Sequence, residues 1–152
     1  MALKKPLVIT AGIVEQLQPG DRLDLSRSVT KTANGALVKA TPVYVNGGNA
    51  TPAQADSQPT VRVAGLVVET VADTDPVEVQ TDGLFVATTA EWDAVTGGTG
   101  GLIEGAAYYL DPNTAGRITT TAPTIDGDFV VPVGTALSAT EFEIEIGAPI
   151  KL

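Results

Sequence analysis

The chain has 152 residues, with 16 glycines, 10 prolines, no cysteine and no histidine. A chain of this length can fold as one domain, and its richness in Gly, Pro, Val and Thr favours short strands and turns over a helical bundle. The missing residue types exclude disulfides, thiolate nucleophiles, Ser-His-Asp triads and imidazole metal sites. The apolar runs are too short for a membrane span or a convincing signal peptide, so we expect a protein made and used without secretion.

The net charge of −9 is distributed unevenly along the chain. Residues 1–40 carry six cations against three acids, a charge of +3, whereas the remainder carries three cations against fifteen acids, a charge of −12. An acidic body is unsuited to nucleic acid, because binding there depends on Lys and Arg neutralising phosphates. A basic segment on an acidic body is typical of a protein that docks through that segment, although chance in a short segment would give the same asymmetry.

The N-terminal segment predicts an arm followed by a linker. Residues 7–9 and 13–17 are two short apolar strands separated at Ala11-Gly12, and residues 23–25 could form a third strand after a Pro-Gly-Asp turn. Residues 26–36 have almost no apolar side chains and end in an Asn-Gly turn, which indicates an extended linker. We therefore divide the chain into an arm and linker (residues 1–35) and a body (residues 36–152).

The first half of the body predicts strands and turns in close succession. Strand patterns cover residues 37–40, 43–45, 77–80 and 84–87, and the last two are expected to pair as a hairpin. Residues 46–49 predict a turn, and residues 51–56 predict a single helical turn because a proline follows a capping residue. In residues 61–68 both the odd-numbered and the even-numbered positions carry apolar residues, which favours a strand buried on both sides. Gly65 within this segment indicates a bulge or a close backbone approach.

The sequence predicts one helix, at about residues 89–96. Thr88 or Thr89 can cap it, Glu91 stands at capping-box spacing from Thr88, and a glycine run begins at residue 97. Trp92 and Val95 form its apolar stripe. We expect Trp92, the only tryptophan, to plug one end of a barrel or sandwich as a structural side chain.

The last third predicts the most regular strands. Residues 106–110 and 118–121 flank a Pro- and Gly-containing turn and indicate a hairpin, and residues 129–133 follow as a further strand segment. Residues 141–146 alternate strictly between carboxylate and apolar side chains, so one face of that strand must be buried. Tyr108 and Tyr109 must point in opposite directions, and the outward ring could contact a partner subunit. The fold class is all-β, a small barrel or sandwich with one short helix.

The residues give no support for catalysis. Carboxylates recur in pairs at residues 73 and 75 and at residues 126 and 128, but these are turn positions that favour Asp for its own backbone bonds. Glu141, Glu143 and Glu145 repeat at about 7 Å along one strand face, which could hold Ca²⁺ but is more typical of a solvated face. The glycine run at residues 97–101 lacks the ending of a phosphate loop. We expect no enzyme, no cofactor and no metal.

Several stretches resemble structural proteins of tailed bacteriophages. They are KPLVITAGIVEQLQPGDRLDL at the start, VYVNGGNATPAQADSQPTVRVAGLVVETV and TTAEWDAV in the middle, and LIEGAAYYLDPNTAGRITTTAPT with FVVPVGTALSATEFEIEIGAPIKL at the end. Together they are similar to capsid decoration (cement) proteins, and the opening motif also occurs in fibre-type proteins. The resemblance implies a small β-barrel or sandwich, often trimeric, that binds the major capsid protein on the outer surface of the virion after synthesis in the host cytoplasm.

On this basis the arm is the expected docking element. It would add strands to a neighbouring sheet edge, and symmetric self-association would supply avidity. The expected contact residues are Leu7, Val8, Ile9, Ile13, Val14 and Leu17, with Lys4, Lys5 and Arg22 steering the arm to an acidic shell. The alternative is that residues 1–25 merely complete this chain's own sheet. A tail-fibre or baseplate module that binds host-surface sugar, and a carbohydrate-active or metal-dependent enzyme, are the other function classes that stay open.

Overall fold

The computed structural model describes residues 27–152 in full and the backbone of residues 7–10 and 13–16. Within these ranges the protein is a small all-β fold with one short helix, α1 (Thr89–Thr96), as the sequence predicts. The strands are β1 (Leu7–Thr10), β2 (Ile13–Gln16), β3 (Ser28–Ala33), β4 (Pro42–Asn46), β5 (Asn49–Pro52), β6 (Gly65–Val67), β7 (Pro76–Gln80), β8 (Gly83–Val86), β9 (Ala107–Leu110), β10 (Ile118–Thr119), β11 (Phe129–Val130), β12 (Pro132–Ala136), β13 (Glu141–Ile144) and β14 (Ile150–Lys151).

The first half of the body closes into a small barrel with the strand order β3-β5-β4-β6-β7. β3 and β5 are parallel, and the other pairs in the barrel are antiparallel. The β4–β5 hairpin turns through Gly47 and Gly48, whose φ angles of 57° and 86° suit a tight two-residue turn, so the turn predicted at residues 46–49 is confirmed. Small and branched aliphatic side chains fill the interior: Ala33, Leu37, Val43, Ala50, Val67, Val77 and Val79.

The prediction of an extended linker at residues 26–36 is wrong for β3. Residues 28–32 of this strand pair with β7, and residues 32–33 pair with β5. Its side chains are mostly polar and exposed, so it lacks the apolar alternation by which a strand is recognised, and it is held through its backbone instead. The barrel therefore includes residues that the sequence assigned to the linker.

The second half of the body forms an open antiparallel sheet with the strand order β10-β9-β12-β13-β8. The β9–β10 hairpin is confirmed, and β13 buries Phe142 and Ile144 while Glu141 and Glu143 stay half-buried on the other face. The prediction that residues 77–80 and 84–87 pair as a hairpin is wrong. β7 pairs within the barrel, and β8 pairs with β13. The Gln80 side-chain amide donates to the carbonyls of Asp82 and Leu84, at 3.0 and 2.9 Å, and this holds the crossing from barrel to sheet.

The main core lies between the barrel and this sheet. On β4, Val43 faces the barrel interior and Tyr44 faces the main core, and on β6 Val67 and Leu66 divide in the same way. The two-sided burial predicted for residues 61–68 is therefore confirmed for Gly65–Val67, although residues 61–64 are not strand. The close backbone approach predicted at Gly65 is also confirmed, since a Cβ there would overlap the Gln80 carbonyl.

The helix carries the central side chain of the main core. Trp92 is fully buried, and its ring centroid lies 5.7 Å from that of Phe85 and 5.4 Å from that of Phe142, which confirms it as a structural residue. Thr88 caps α1 in a capping box with Glu91, and Gly97 ends it at φ 71°, both as predicted. The Thr88 backbone N–H bond to the Glu91 carboxylate lowers the pKa of Glu91, and Lys39, 3.7 Å away, acts in the same direction.

Two segments predicted as regular elements are irregular. Residues 37–40 contain only an isolated bridge from Leu37 to Val71, because Ala40 adopts φ 70° and turns the chain. The helical turn predicted at residues 51–56 is wrong: residues 51–52 belong to β5, residues 53–54 are in no regular element, and residues 55–56 form a turn that is not helix. The backbone N–H of Ala55 donates to Asp111, and its carbonyl accepts from Phe129. This segment thus ties the barrel to the second half of the body.

We predict that Gly65→Ala lowers the free energy of unfolding by about 1–3 kcal/mol or more, because the added methyl must displace a backbone carbonyl in a packed core. Chemical denaturation followed by far-ultraviolet circular dichroism measures the change. Gly98→Ala is the matched control, since Gly98 is exposed and its Cβ would meet only the Thr96 hydroxyl at 3.4 Å. A loss of similar size in both variants would contradict the close approach at Gly65.

The capping box predicts a pH dependence of stability. Because the pKa of Glu91 is below its ordinary value of 4.5 in the folded protein, ionised Glu91 stabilises the fold above about that pH. This contribution is lost as the pH falls through the lowered pKa. Wild type should therefore be more stable than Glu91→Gln at neutral pH, and the difference should shrink in acid. Denaturation of both proteins from pH 7 to pH 3 tests this, and a difference that grows in acid would contradict it.

Candidate docking surfaces

The N-terminal arm contains two paired strands. β1 and β2 are antiparallel, in a register that sets Leu7 opposite Gln16 and Thr10 opposite Ile13. They form a two-stranded sheet of their own, so the prediction of two arm strands is confirmed, with β2 ending at Gln16. For Leu7, Val8, Ile9, Ile13 and Val14 the structure gives the backbone alone. The other predicted arm residues, Lys4, Lys5, Leu17 and Arg22, and the strand suggested at residues 23–25, lie outside the described residues.

The arm joins the body beside the start of β8. The Arg27 backbone N–H donates to the Asp82 carboxylate at 2.9 Å, and its carbonyl accepts the Thr81 N–H at 2.7 Å. Asp82 directly precedes β8. The point at which the arm enters the body is thus fixed next to one end of the five-stranded sheet.

β8 is an edge strand of that sheet, and its outer edge presents backbone groups. The Ala87 N–H donates to the Thr140 carbonyl, and the antiparallel register then directs the N–H and C=O of Phe85 toward β13. By the same alternation, the backbone groups of Leu84 and Val86 point away from the sheet. The Leu84 carbonyl accepts from Gln80, and no other described residue bonds the outward groups of Leu84 and Val86.

The outer face of the five-stranded sheet combines apolar and acidic side chains. Cross-strand pairing places Val86 beside Glu141 and Leu84 beside Glu143, and Leu137 follows Glu141 on the next strand. Val86 is 51% exposed within β8, and Leu137, just beyond the end of β12, is 49% exposed. Sequence reasoning missed this surface because it paired β8 with β7. The only sequence signal was the alternation in β13, which indicated that one face of its sheet would be left uncovered.

Tyr108 and Tyr109 divide as predicted. Tyr108 is buried against Phe142, with ring centroids 5.9 Å apart, and its hydroxyl accepts the Ile103 N–H at 3.0 Å. Tyr109 lies half-buried on the outer face, between Thr119 and Pro132. A contact of Tyr109 with a partner subunit stays a prediction. Tyr108 belongs to the core, so its inclusion in a subunit interface is wrong.

A second exposed apolar cluster lies on the β11–β14 ribbon. Ile125 and Ile150 are 64% and 60% exposed, and Leu152 stands next to them. Backbone bonds from Gly127 to Leu152 and from Leu152 to Asp128 extend the pairing of the ribbon to Leu152. Sequence reasoning did not select these residues, because isolated aliphatic residues in a turn-rich segment carry no periodic signal.

The acidic residues serve turns and surfaces in the described ranges. No group of three acidic side chains there is close enough to hold a metal ion, and Glu145 lies beyond the end of β13. The Asp93 carboxylate accepts the N–H groups of Gly100 and Gly101, at 3.1 and 2.8 Å, and so shapes the glycine run into an exposed tip. Asp73 accepts the Gly35 N–H at 2.7 Å and supports a turn, as expected for its position.

The clefts in the described surface are shallow. One of about 200 Å³ lies beside the β9–β10 turn and is lined by Asp111, Asn113, Thr119, Thr121, Pro123 and Asp128. Small-molecule sites usually measure about 300–1,000 Å³ and are mostly apolar. This cleft is smaller and more polar, so extended strand edges and sheet faces are the better candidates for contact with another molecule.

Among the described helices none has the length and hydrophobicity needed to cross a membrane. In comparisons with known proteins, no family model matches the sequence, and no curated protein matches it either.

The two neighbouring tyrosines give a test of the sheet orientation. Tyr108→Ala should lower the free energy of unfolding by about 3–5 kcal/mol, because it opens a cavity against Phe142. Tyr109→Ala should cost about 1 kcal/mol or less, since its ring covers only the outer face. Urea denaturation of both variants measures the two losses in free energy of unfolding. Equal losses would contradict the opposite orientation of the two rings.

Proposed function

We propose that this protein is a non-catalytic structural protein of a tailed-bacteriophage virion, a decoration protein that binds the outer surface of the major capsid shell and stabilises it. The sequence resemblance supplies the class of protein. The observation that carries the proposal further is that β1 and β2 pair with each other and join neither the barrel nor the five-stranded sheet. An arm that is separate from the body's sheets is available to dock elsewhere.

The physics of a short hairpin supports docking through the arm. Two strands of four residues each are marginally stable in water by themselves, so the hairpin gains from a surface that covers it. Its strand edges can pair with an exposed sheet edge of the shell, where backbone hydrogen bonds supply affinity. Lys4, Lys5 and Arg22 would attract the arm to an acidic surface, and Leu7, Val8, Ile9, Ile13, Val14 and Leu17 would supply apolar contacts.

The body suits a reinforcing role. Its barrel and main core share β4 and β6, and the crossing between them is held by Gln80, so a force applied to one half is passed to the other. Association into a symmetric homotrimer would present several arms at once, and linked arms bind far more tightly than one arm alone. Tyr109 on the outer sheet face is the proposed residue for contact between subunits.

The sugar-binding tail-fibre alternative fits the described surface less well. Sugar sites commonly use exposed aromatic rings, and the chain has only seven aromatic residues. Six of them are buried and Tyr109 is half-buried. No aromatic platform is therefore available on the described surface, and we keep this function as the outcome that would replace the first.

The decisive experiment mixes purified protein with phage capsids that lack their decoration protein and measures co-sedimentation. Wild type should bind, and Val8→Asp should weaken binding by about tenfold or more, because it places a charge in the docking arm. Val38→Asp is the matched control, since Val38 is an exposed valine of the body. Binding to host cells in place of capsids would favour the tail-fibre role, and binding to neither would contradict both functions.

A further inference from the structure

The outer edge of β8 has the features of a strand-acceptor site. The N–H groups of Leu84 and Val86 and the carbonyl of Val86 point outward, and no described residue bonds them. Exposed edges of this kind are usually short, charged, twisted away or covered, because they recruit other strands. Val86 is instead an exposed aliphatic residue at 51%, and its neighbour Leu84 is half-buried. Within the described residues this edge is therefore a candidate site for strand addition.

The charge beside the edge narrows the choice of occupant. Glu141 and Glu143 stand next to Val86 and Leu84 on the outer face. The body as a whole is acidic, so the body of another copy would bring like charges to this site. A strand that follows a pair of cations would complement it. Lys4 and Lys5 stand three and two residues before the start of β1, which makes the arm of this same chain the fitting partner.

The chain length allows the arm to reach another molecule. Ten residues separate the end of β2 at Gln16 from Arg27, and an extended segment of that length spans about 33 Å. Five strands of a sheet cover about 19 Å from first to last. Because Arg27 is fixed beside the start of β8, the root of each arm adjoins its own acceptor edge. Two or more copies can therefore exchange arms and close on one another.

We propose that the outer edge of β8 binds the β1–β2 hairpin of a second copy of this chain by strand addition. In the single chain β1 and β2 form their own sheet, and neither of them pairs with β8. One strand of the hairpin pairs with β8, and the other keeps a free edge that remains open to a capsid surface. The exchange of arms between copies does not depend on capsid decoration. An experiment can therefore contradict the exchange without contradicting the proposed function, and the reverse.

Hydrogen exchange followed by NMR over a range of protein concentrations measures whether the outward amides of β8 are bonded. The amides of Leu84 and Val86 should exchange about tenfold more slowly as the protein associates, because only then do they gain partners. The Phe85 amide faces β13 and should stay protected at every concentration. Slow exchange of Val86 in a sample that light scattering shows to be monomeric would overturn the proposal in favour of docking within one chain. Concentration-independent fast exchange would overturn it outright.

Substitutions in the full chain test the partner. Val86→Glu should weaken self-association by about tenfold or more, measured as the dissociation constant from light scattering. Val38→Glu, with the same charge change at a valine of similar exposure, should leave self-association unchanged. Equal effects of the two variants, or none from Val86→Glu, would overturn the assignment of this edge.

Exchanging the charges of the arm and of the sheet face distinguishes a specific arm contact from a general loss of folding. Lys4→Glu with Lys5→Glu should weaken association, and so should Glu141→Lys with Glu143→Lys. All four substitutions together should restore it, because the complementary charges are then re-formed with the opposite sign. Failure of the fourfold variant to recover association, with its circular dichroism spectrum unchanged, would overturn the role of these charges in the arm contact.

Discussion

The two-sided burial of β4 and β6 is the constraint on which the body depends. Neighbouring residues of these strands serve different cores: Val43 and Val67 fill the barrel, while Tyr44 and Leu66 face the five-stranded sheet. Over Pro42–Tyr44 and Gly65–Val67 these strands have no solvent face, so their register cannot slip by one residue without exchanging the contents of both cores. Gly65 allows β6 to approach Gln80 closely enough for this sharing. Two hydrophobic clusters are thereby joined through shared strands.

The body also has open sheet edges. The barrel closes on itself, whereas the five-stranded sheet ends at β10 on one side and at β8 on the other. The arm enters at the neighbouring turn, where Arg27 bonds Asp82 and Thr81. The point at which the arm joins the body and the proposed acceptor edge thus lie at the same end of the sheet. Assembly through backbone pairing is the simplest use of such a pair.

The sequence predicts the all-β class, the helix with its capping box, the β9–β10 hairpin and the inward face of β13, because each depends on local chemistry or on strict alternation. It fails where pairing is decided at long range. β3 has no apolar pattern and is recruited by its backbone, and β7 and β8 are adjacent in sequence yet belong to different sheets. The arm strands are visible in the sequence. The acceptor edge is not, because an edge is a property of the sheet order and not of the residues within the strand.

Trp92 also makes the two cores optically distinguishable. The only indole in the chain is buried among Phe85 and Phe142 and donates its N–H to the Thr140 carbonyl at 3.2 Å, whereas the barrel interior contains no aromatic ring. Tryptophan fluorescence, excited selectively, therefore reports the environment of the main core alone. Opening of the barrel would be silent in the emission spectrum until it disturbed β4 or β6. A coincidence of fluorescence and circular dichroism transitions would then measure how strongly the shared strands couple the two halves.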